Sequence, residues 1–130
     1  MGTELLVLLL TLVLGLIHLG IPSFFRVQEV GNNTLVGARD NLPDIQNVKG
    51  QRANRANANF KETLPWALAL LVLAQTLPGK ANSMTAMGAW IYFGARCVYL
   101  PLYILGVPVA RTLAFGVSLA GLTIIALQLM

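Results

Sequence analysis

The sequence predicts an all-α membrane protein, a bundle of four transmembrane helices. The chain of 130 residues is 56% hydrophobic with a mean hydropathy of +0.70, which is too apolar for an ordinary water-soluble domain. Four stretches also have, or nearly have, the length that crosses about 30 Å of hydrocarbon at about 1.5 Å per helical residue. We predict one domain over 1–130, with helices at 4–25, 50–78, 82–105 and 108–130 and a loop at 26–49.

We predict that the first helix is a retained span and not a cleaved signal peptide. Its apolar run follows the acidic residue Glu4, without the basic segment or the small-residue cleavage site of a secretory signal. The single histidine, His18, lies in this helix and is predicted to be structural. The single cysteine, Cys97, is predicted to act as a small apolar residue of the third helix. With one residue of each kind, no metal site is predicted.

The distribution of positive charge predicts the orientation in the membrane. The segment from Arg26 to Lys61 carries six basic and three acidic residues, six minus three or +3, whereas the connection near 78–82 has only Lys80. By the positive-inside rule, the long first loop is cytoplasmic and both termini lie on the opposite side. The overall charge of +4 is spread over membrane-flanking positions, so no nucleic-acid partner is predicted.

The second predicted helix enters the membrane with one polar face. This face carries Arg52, Arg55, Asn59 and Glu62. The steps of three, four and three residues place these side chains within about 80° of arc. Polar side chains at the start of a span need partners, so this face is a candidate binding surface.

The third predicted helix repeats this arrangement with Tyr92, Arg96, Tyr99 and Tyr103, within about 60° of arc. Arg96 lies about 13 Å from the end of its helix. At that depth, exposure to lipid costs about 2.5–3.5 kcal/mol or more, so the guanidinium needs a carboxylate or a ligand. Glu62 is the simplest partner, within one subunit or across an interface between subunits.

A purely structural explanation of these polar residues stays open. Arginines at helix ends, such as Arg111, commonly reach for lipid phosphates, and tyrosines such as Tyr103 commonly form aromatic belts. An asparagine and a glutamate can equally hold neighbouring helices together. The depth of Arg96 is the main argument against this explanation. A transporter is disfavoured, because no acid beyond Glu62 lies within a span and the chain has no internal repeat.

A more specific pattern lies at residues 55–65, which read RANANFKETLP and fit R-A-x-x-N-x-x-E-x-x-P. The third helix then has Arg96 followed by tyrosines at plus three and plus seven, and Arg111 stands at the start of the fourth. These features resemble the MAPEG family, the membrane-associated proteins in eicosanoid and glutathione metabolism. The resemblance covers essentially the whole chain.

The resemblance implies a homotrimer that holds glutathione between neighbouring subunits near the cytoplasmic surface. The implied ligands of glutathione are Arg55, Asn57, Asn59 and Glu62 of the second helix with Arg96, Tyr99 and Tyr103 of the third. Arg111 matches the arginine that family enzymes place beside the sulfur, so it is the implied catalytic residue. A lipophilic electrophile would then reach the site from the membrane lipid.

The implied activity is that of a general glutathione transferase or peroxidase. Thr63 follows the motif glutamate, where several family enzymes have an aromatic residue, so the specific eicosanoid activities transfer poorly. The roles of Arg26 and Thr112 stay open. The alternative function is a non-catalytic membrane subunit that packs into a larger complex through the small residues Gly116, Ala120 and Gly121.

Overall fold

The computed structural model describes residues 1–40 and 42–130, and within them the chain is helical with no β-strand. The helices are α1 (Thr3–Val30), α2 (Asn32–Val36), α3 (Val48–Thr76), α4 (Ser83–Leu105) and α5 (Pro108–Leu129). Three of the described helices, α1, α4 and α5, are long and apolar enough to cross a membrane. The prediction of an all-α integral membrane protein is therefore confirmed.

The remaining long helix, α3, differs from these three in composition. It has 29 residues, and its first half carries all of its charged side chains: Lys49, Arg52, Arg55, Lys61 and Glu62. Its second half is largely apolar. A helix that is charged in one half and apolar in the other is typical of an entry from the interface into lipid. A fourth span, and with it the bundle of four, stays a prediction.

The predicted loop at 26–49 contains more helix than expected. The first helix continues to residue 30 because residues 26–30 include no glycine or proline, the residues that most often end helices. Gly31 then ends α1 with φ +80°, a conformation that suits glycine. The short α2 follows, so irregular chain begins only after residue 36. Residue 41, within the predicted loop, lies outside the described residues.

Two side chains fix the start of α3 against the end of α1. The Glu29 carboxylate accepts hydrogen bonds from the backbone N–H groups of Gln46, at 3.0 Å, and Asn47, at 2.6 Å. The Asn47 side chain in turn caps α3 by accepting from the N–H groups of Lys49 and Gly50. A cap of this kind stabilises a helix by about 1 kcal/mol. The loop therefore returns to α1 and sets the position at which α3 begins.

A close approach between helices joins α4 and α5 at Gly88 and Gly121. A β-carbon at either glycine would lie 2.7 Å from the carbonyl oxygen of the other, closer than real side chains come. Only glycine fits at both positions, as in other tightly packed membrane helices. Gly121 therefore packs inside the subunit, whereas Gly116 and Ala120 are exposed on the outer surface of α5.

The buried side chains form two clusters along the bundle. One contains Leu14, Phe60, Tyr99 and Ala114. It lies toward the end of the bundle that carries the connection from α1 to α3 and the turn from α4 to α5, which we call the loop end. The other lies toward the opposite end, which we call the far end. In an apolar stretch of 18 residues, only 22% of α5 is buried within the protein, compared with 33% for α1 and for α4. Most of the apolar surface is thus left for lipid or for other subunits.

Candidate functional site

The centre of the polar region is a contact between α3 and α4. Arg96, on α4, has no exposed surface, and its Nη1 donates a hydrogen bond of 2.8 Å to Oδ1 of Asn59 on α3. The Nε and Nη2 groups of Arg96 have no partner among the described residues. Because an unpaired buried donor costs free energy, this guanidinium retains a capacity to bind an acceptor.

Two aromatic rings lie against the Arg96 guanidinium. Its carbon Cζ lies 4.2 Å from the ring centroid of Tyr99 and 5.5 Å from that of Phe60, distances at which a cation attracts a ring face. His18 stacks on Phe60 with the centroids 4.5 Å apart. His18 is fully buried, and neither of its ring nitrogens has a hydrogen-bond partner in the described part of the chain. The structural role of His18 stays a prediction.

An open cavity of about 250 Å³ lies in front of Asn59 and Tyr99. Its lining consists of side chains from α3, α4 and α5, namely Asn59, Tyr99, Tyr103, Arg111, Thr112 and Phe115. Tyr99 contacts Tyr103 edge to face with the ring centroids 5.5 Å apart. The cavity is therefore walled by amide, phenol and guanidinium groups together with one apolar ring. Such a lining suits a polar, charged ligand with a less polar part.

The turn between α4 and α5 brings Arg111 to this cavity. Gly106 ends α4 in the left-handed conformation with φ +77°, and Pro108 begins α5. Arg111 is then one turn into α5, half-buried, with its Cζ 4.7 Å from the centroid of Tyr103. The Thr112 hydroxyl beside it donates to the Pro108 carbonyl oxygen at 2.9 Å, so its oxygen retains only accepting capacity.

The structure therefore brings together five of the eight predicted site residues: Asn59, Arg96, Tyr99, Tyr103 and Arg111. Arg55 and Glu62 lie on the same face of α3 as Asn59, but their side chains are exposed. Arg55 lines a separate cavity with Arg26 and Asp44. Asn57 lies on the other side of α3, where it is buried against α1.

The predicted pairing of Glu62 with Arg96 does not form within one subunit. Arg96 uses Nη1 for Asn59 and leaves Nε and Nη2 without partners, so none of its nitrogens bonds the Glu62 carboxylate. The physical reason is the rotation of α3, which turns Asn59 inward and Glu62 outward. A pairing across a subunit interface stays a prediction. Among the described residues, no group of three or more His, Cys, Asp or Glu side chains is arranged to hold a metal ion.

Residues 5–130 match the family model described as the MAPEG family. The chain belongs to the MAPEG family. The match covers essentially the whole chain, which confirms the resemblance carried by residues 55–65, Arg96 and Arg111. No curated protein and no solved structure matches this MAPEG chain. Membership is consistent with a glutathione-related function in a membrane.

Sequence reasoning did not single out several residues of this MAPEG site. Phe60 lies between His18 and Arg96, and Phe115 forms the apolar wall of the cavity. Thr63, which the sequence marks only as a departure from the aromatic residue of several family enzymes, is buried and bonds the Tyr92 hydroxyl through its own hydroxyl at 3.0 Å, so it joins α3 to α4. Phe60 lies inside the motif segment, one residue after Asn59, and its position there is the only signal that the sequence offered.

Proposed function

We propose that this protein is a glutathione-dependent membrane enzyme of the transferase or peroxidase type. The observation that carries the proposal is the buried Arg96 guanidinium with two unpaired nitrogens. It contacts Asn59 and Tyr99, which line an open polar cavity together with Arg111. A buried cation of this kind needs an anionic or strongly accepting partner. Within the described residues, the protein supplies only the Asn59 amide oxygen.

The donor and acceptor groups of the site fit the chemistry of glutathione, which has two carboxylates, an ammonium group and a thiol. The free N–H groups of Arg96 suit a carboxylate, which a guanidinium binds with two parallel hydrogen bonds. Asn59, Tyr99 and Tyr103 add amide and phenol groups that orient a peptide. The Glu62 carboxylate, exposed on the outer edge of α3, suits the ammonium group.

The proposed catalytic residue is Arg111, which lines the cavity from α5 and brings positive charge to it. A thiol with an ordinary pKa of about 8.5 becomes mostly thiolate at neutral pH when a cation stabilises the anion. Glutathione supplies the nucleophilic sulfur, and Arg111 lowers the free energy of its anionic form. The stacking of Arg111 on Tyr103 restrains the guanidinium, so little reorganisation accompanies the reaction.

The proposed assembly is a homotrimer with its sites between subunits and its loop end in the cytoplasm. Arg55 and Glu62 are exposed in one subunit, although they share a helical face with Asn59. Polar side chains at the start of a membrane-embedded helix need partners, and a neighbouring subunit that closes the cavity supplies them. A lipophilic second substrate then enters from the bilayer.

The experiment is a titration of the detergent-solubilised protein with glutathione. We expect the ultraviolet absorbance of a bound thiolate, thermal stabilisation, and turnover of a generic aromatic electrophile or an organic hydroperoxide. Arg96→Gln, which removes the charge behind the cavity, should weaken glutathione binding. Lys80→Gln is the matched control, because it removes one charge at the far end of the bundle. No absorbance and no stabilisation at millimolar glutathione would contradict the proposal.

The second candidate function, a non-catalytic membrane subunit, rests on the outer surface of α5. Gly116 and Ala120 are exposed there, and a β-carbon added at Gly116 meets nothing within 4 Å. Small residues on a lipid-facing helix allow close approach by another helix. This function predicts stable association with a larger complex and no response to glutathione, so the same titration separates the two candidates.

A further inference from the structure

A second polar cavity lies between the last turns of α1, the helix α2 and the start of α3. Its volume is about 460 Å³, within the range of about 300–1,000 Å³ that is typical of ligand sites. The polar groups of its lining belong to Arg26, Arg39, Asn32, Asn54, Asn57 and Ser23. It shares none of its lining with the cavity at Asn59 and Arg111.

The polar groups of this cavity favour an anion. Two arginines line it, and within the described residues no aspartate or glutamate does. The nearby Glu29 carboxylate accepts from two backbone N–H groups, and Asp44 lines the adjoining cavity with Arg26 and Arg55. Arg26 donates from Nη1 to the Pro43 carbonyl oxygen. Its other N–H groups stay available.

The Arg39 guanidinium, like that of Arg26, donates one hydrogen bond to a backbone carbonyl oxygen. Its Nε donates to the Leu35 carbonyl oxygen at 2.6 Å, which leaves both terminal nitrogens of the guanidinium for a ligand. The backbone of Arg39 has φ +63°, a conformation uncommon for residues other than glycine. The chain thus adopts a strained conformation at the residue whose side chain lines the cavity.

The polar cavity adjoins an apolar groove between α1 and α3. The two share Leu19 and Asn57 in their linings. The groove has a volume of about 180 Å³ and is otherwise lined mainly by apolar groups, among them Leu12, Leu16, Phe60 and Leu64. Lys61, also in its lining, adds a third positive charge. A polar, cationic cavity at the loop end therefore lies next to an apolar groove between α1 and α3.

We propose that the two cavities together bind one anionic phospholipid. Its phosphate lies between Arg26 and Arg39, and part of one acyl chain lies in the groove beside Leu16. The positive charge of the polar cavity selects an anionic head group, because basic side chains near a membrane surface attract anionic lipids. The groove selects a molecule with an acyl chain over free phosphate, because only such a molecule makes van der Waals contacts with the apolar lining. This site is independent of the proposed glutathione chemistry.

The test is native mass spectrometry of the full chain released from nanodiscs of equal phosphatidylglycerol and phosphatidylcholine. The wild type should retain phosphatidylglycerol in preference to phosphatidylcholine. Arg39→Gln should lower that retention about fivefold, the effect expected of one basic residue near a membrane surface. Arg26→Gln should do the same, but Arg39→Gln is the cleaner variant because Arg26 also holds the loop. Lys49→Gln is the matched control, since Lys49 is an exposed residue at the same end outside both linings.

The groove is tested separately with Leu16→Trp. Leu16 is 67% exposed, so the larger side chain fills the groove without disturbing the core. This variant should retain less phosphatidylglycerol and bind inorganic phosphate as the wild type does. Equal retention of the two lipids by the wild type, or an equal loss in Lys49→Gln, would overturn the proposal. Variants that change the oligomeric state without changing lipid retention would also overturn it, because the groove would then be a contact between copies of the chain.

Discussion

The hydrogen bond of 2.8 Å from Arg96 Nη1 to Asn59 Oδ1 joins the arginine of α4 to the family motif of α3. Among the described residues, Asn59 is the only hydrogen-bond partner of a guanidinium that has no exposed surface. The contact, together with the packing of Phe60 and Ala56, holds α3 in its rotation relative to α4. It thereby determines which polar side chains line the cavity and which face outward.

Removal of the Asn59 amide should destabilise the protein. Asn59→Ala leaves the buried guanidinium with no acceptor, and we expect a loss of about 1–3 kcal/mol in the free energy of unfolding. Asn59→Asp is the informative comparison, since a carboxylate supplies both an acceptor and a compensating charge, and it should be at least as stable as the wild type. Denaturant unfolding in detergent measures both. Equal stability of Asn59→Ala and the wild type would exclude the structural importance of this contact.

The glycine pair of α4 and α5 gives a prediction about packing. Gly121→Ala should separate the two helices and cost about 1–3 kcal/mol, because the added β-carbon meets the Gly88 backbone. Gly94→Ala is the control, since a β-carbon there meets nothing within 4 Å. It should leave stability unchanged or raise it by up to about 1 kcal/mol. Thermal unfolding followed by circular dichroism distinguishes the two, and equal effects would contradict the packing argument.

Glu62 is exposed within one subunit, so its substitution should affect the ligand more than the fold. Glu62→Gln should unfold at the wild-type temperature and bind glutathione about tenfold more weakly, the loss expected for one charge-assisted contact. Asp40→Asn makes the same chemical change at an exposed loop residue and should bind as the wild type does. Isothermal titration calorimetry measures both affinities. Unchanged affinity in Glu62→Gln would remove this residue from the site.

The outward position of Arg55 and Glu62 also bears on assembly. In the proposed assembly, α3 is a fourth span and a neighbouring subunit supplies partners for these side chains, so we expect a trimer in mild detergent. Native mass spectrometry gives the mass of the complex directly. A stable monomer or dimer would contradict the proposed sites between subunits.

Helical periodicity predicted much of the site. The positions of Arg96, Tyr99 and Tyr103 follow from steps of three and four residues, and the structure has all three side chains in one cluster with Asn59. The same periodicity sets Asn57 about 200° around the helix from Asn59, and the structure has it facing α1. The family resemblance had grouped Asn57 with the implied ligands of glutathione. The contacts in the structure add that its side chain faces α1, which the motif alone did not indicate.

The sequence did not determine which residue of α3 meets Arg96. Asn59 and Glu62 lie only about 60° apart on the helix, so a small rotation of α3 exchanges them. That rotation depends on packing at Phe60 and Ala56, which belong to the core cluster of the loop end. The extension of α1 past residue 25 was missed for a different reason, because charged residues that leave the membrane can continue a helix as well as end it.

The most direct test of the account is the apparent pKa of the thiol of bound glutathione, measured by thiolate absorbance across pH in the wild type and Arg111→Ala. We expect a thiol pKa well below the ordinary value of about 8.5 in the wild type and a return toward that value in the variant. Turnover should fall about 10- to 1,000-fold with little change in glutathione affinity. Arg111→Lys, which keeps the charge without the planar guanidinium, should retain part of the effect. An identical thiol pKa in the wild type and Arg111→Ala would contradict the assignment of Arg111 as the residue that stabilises the thiolate.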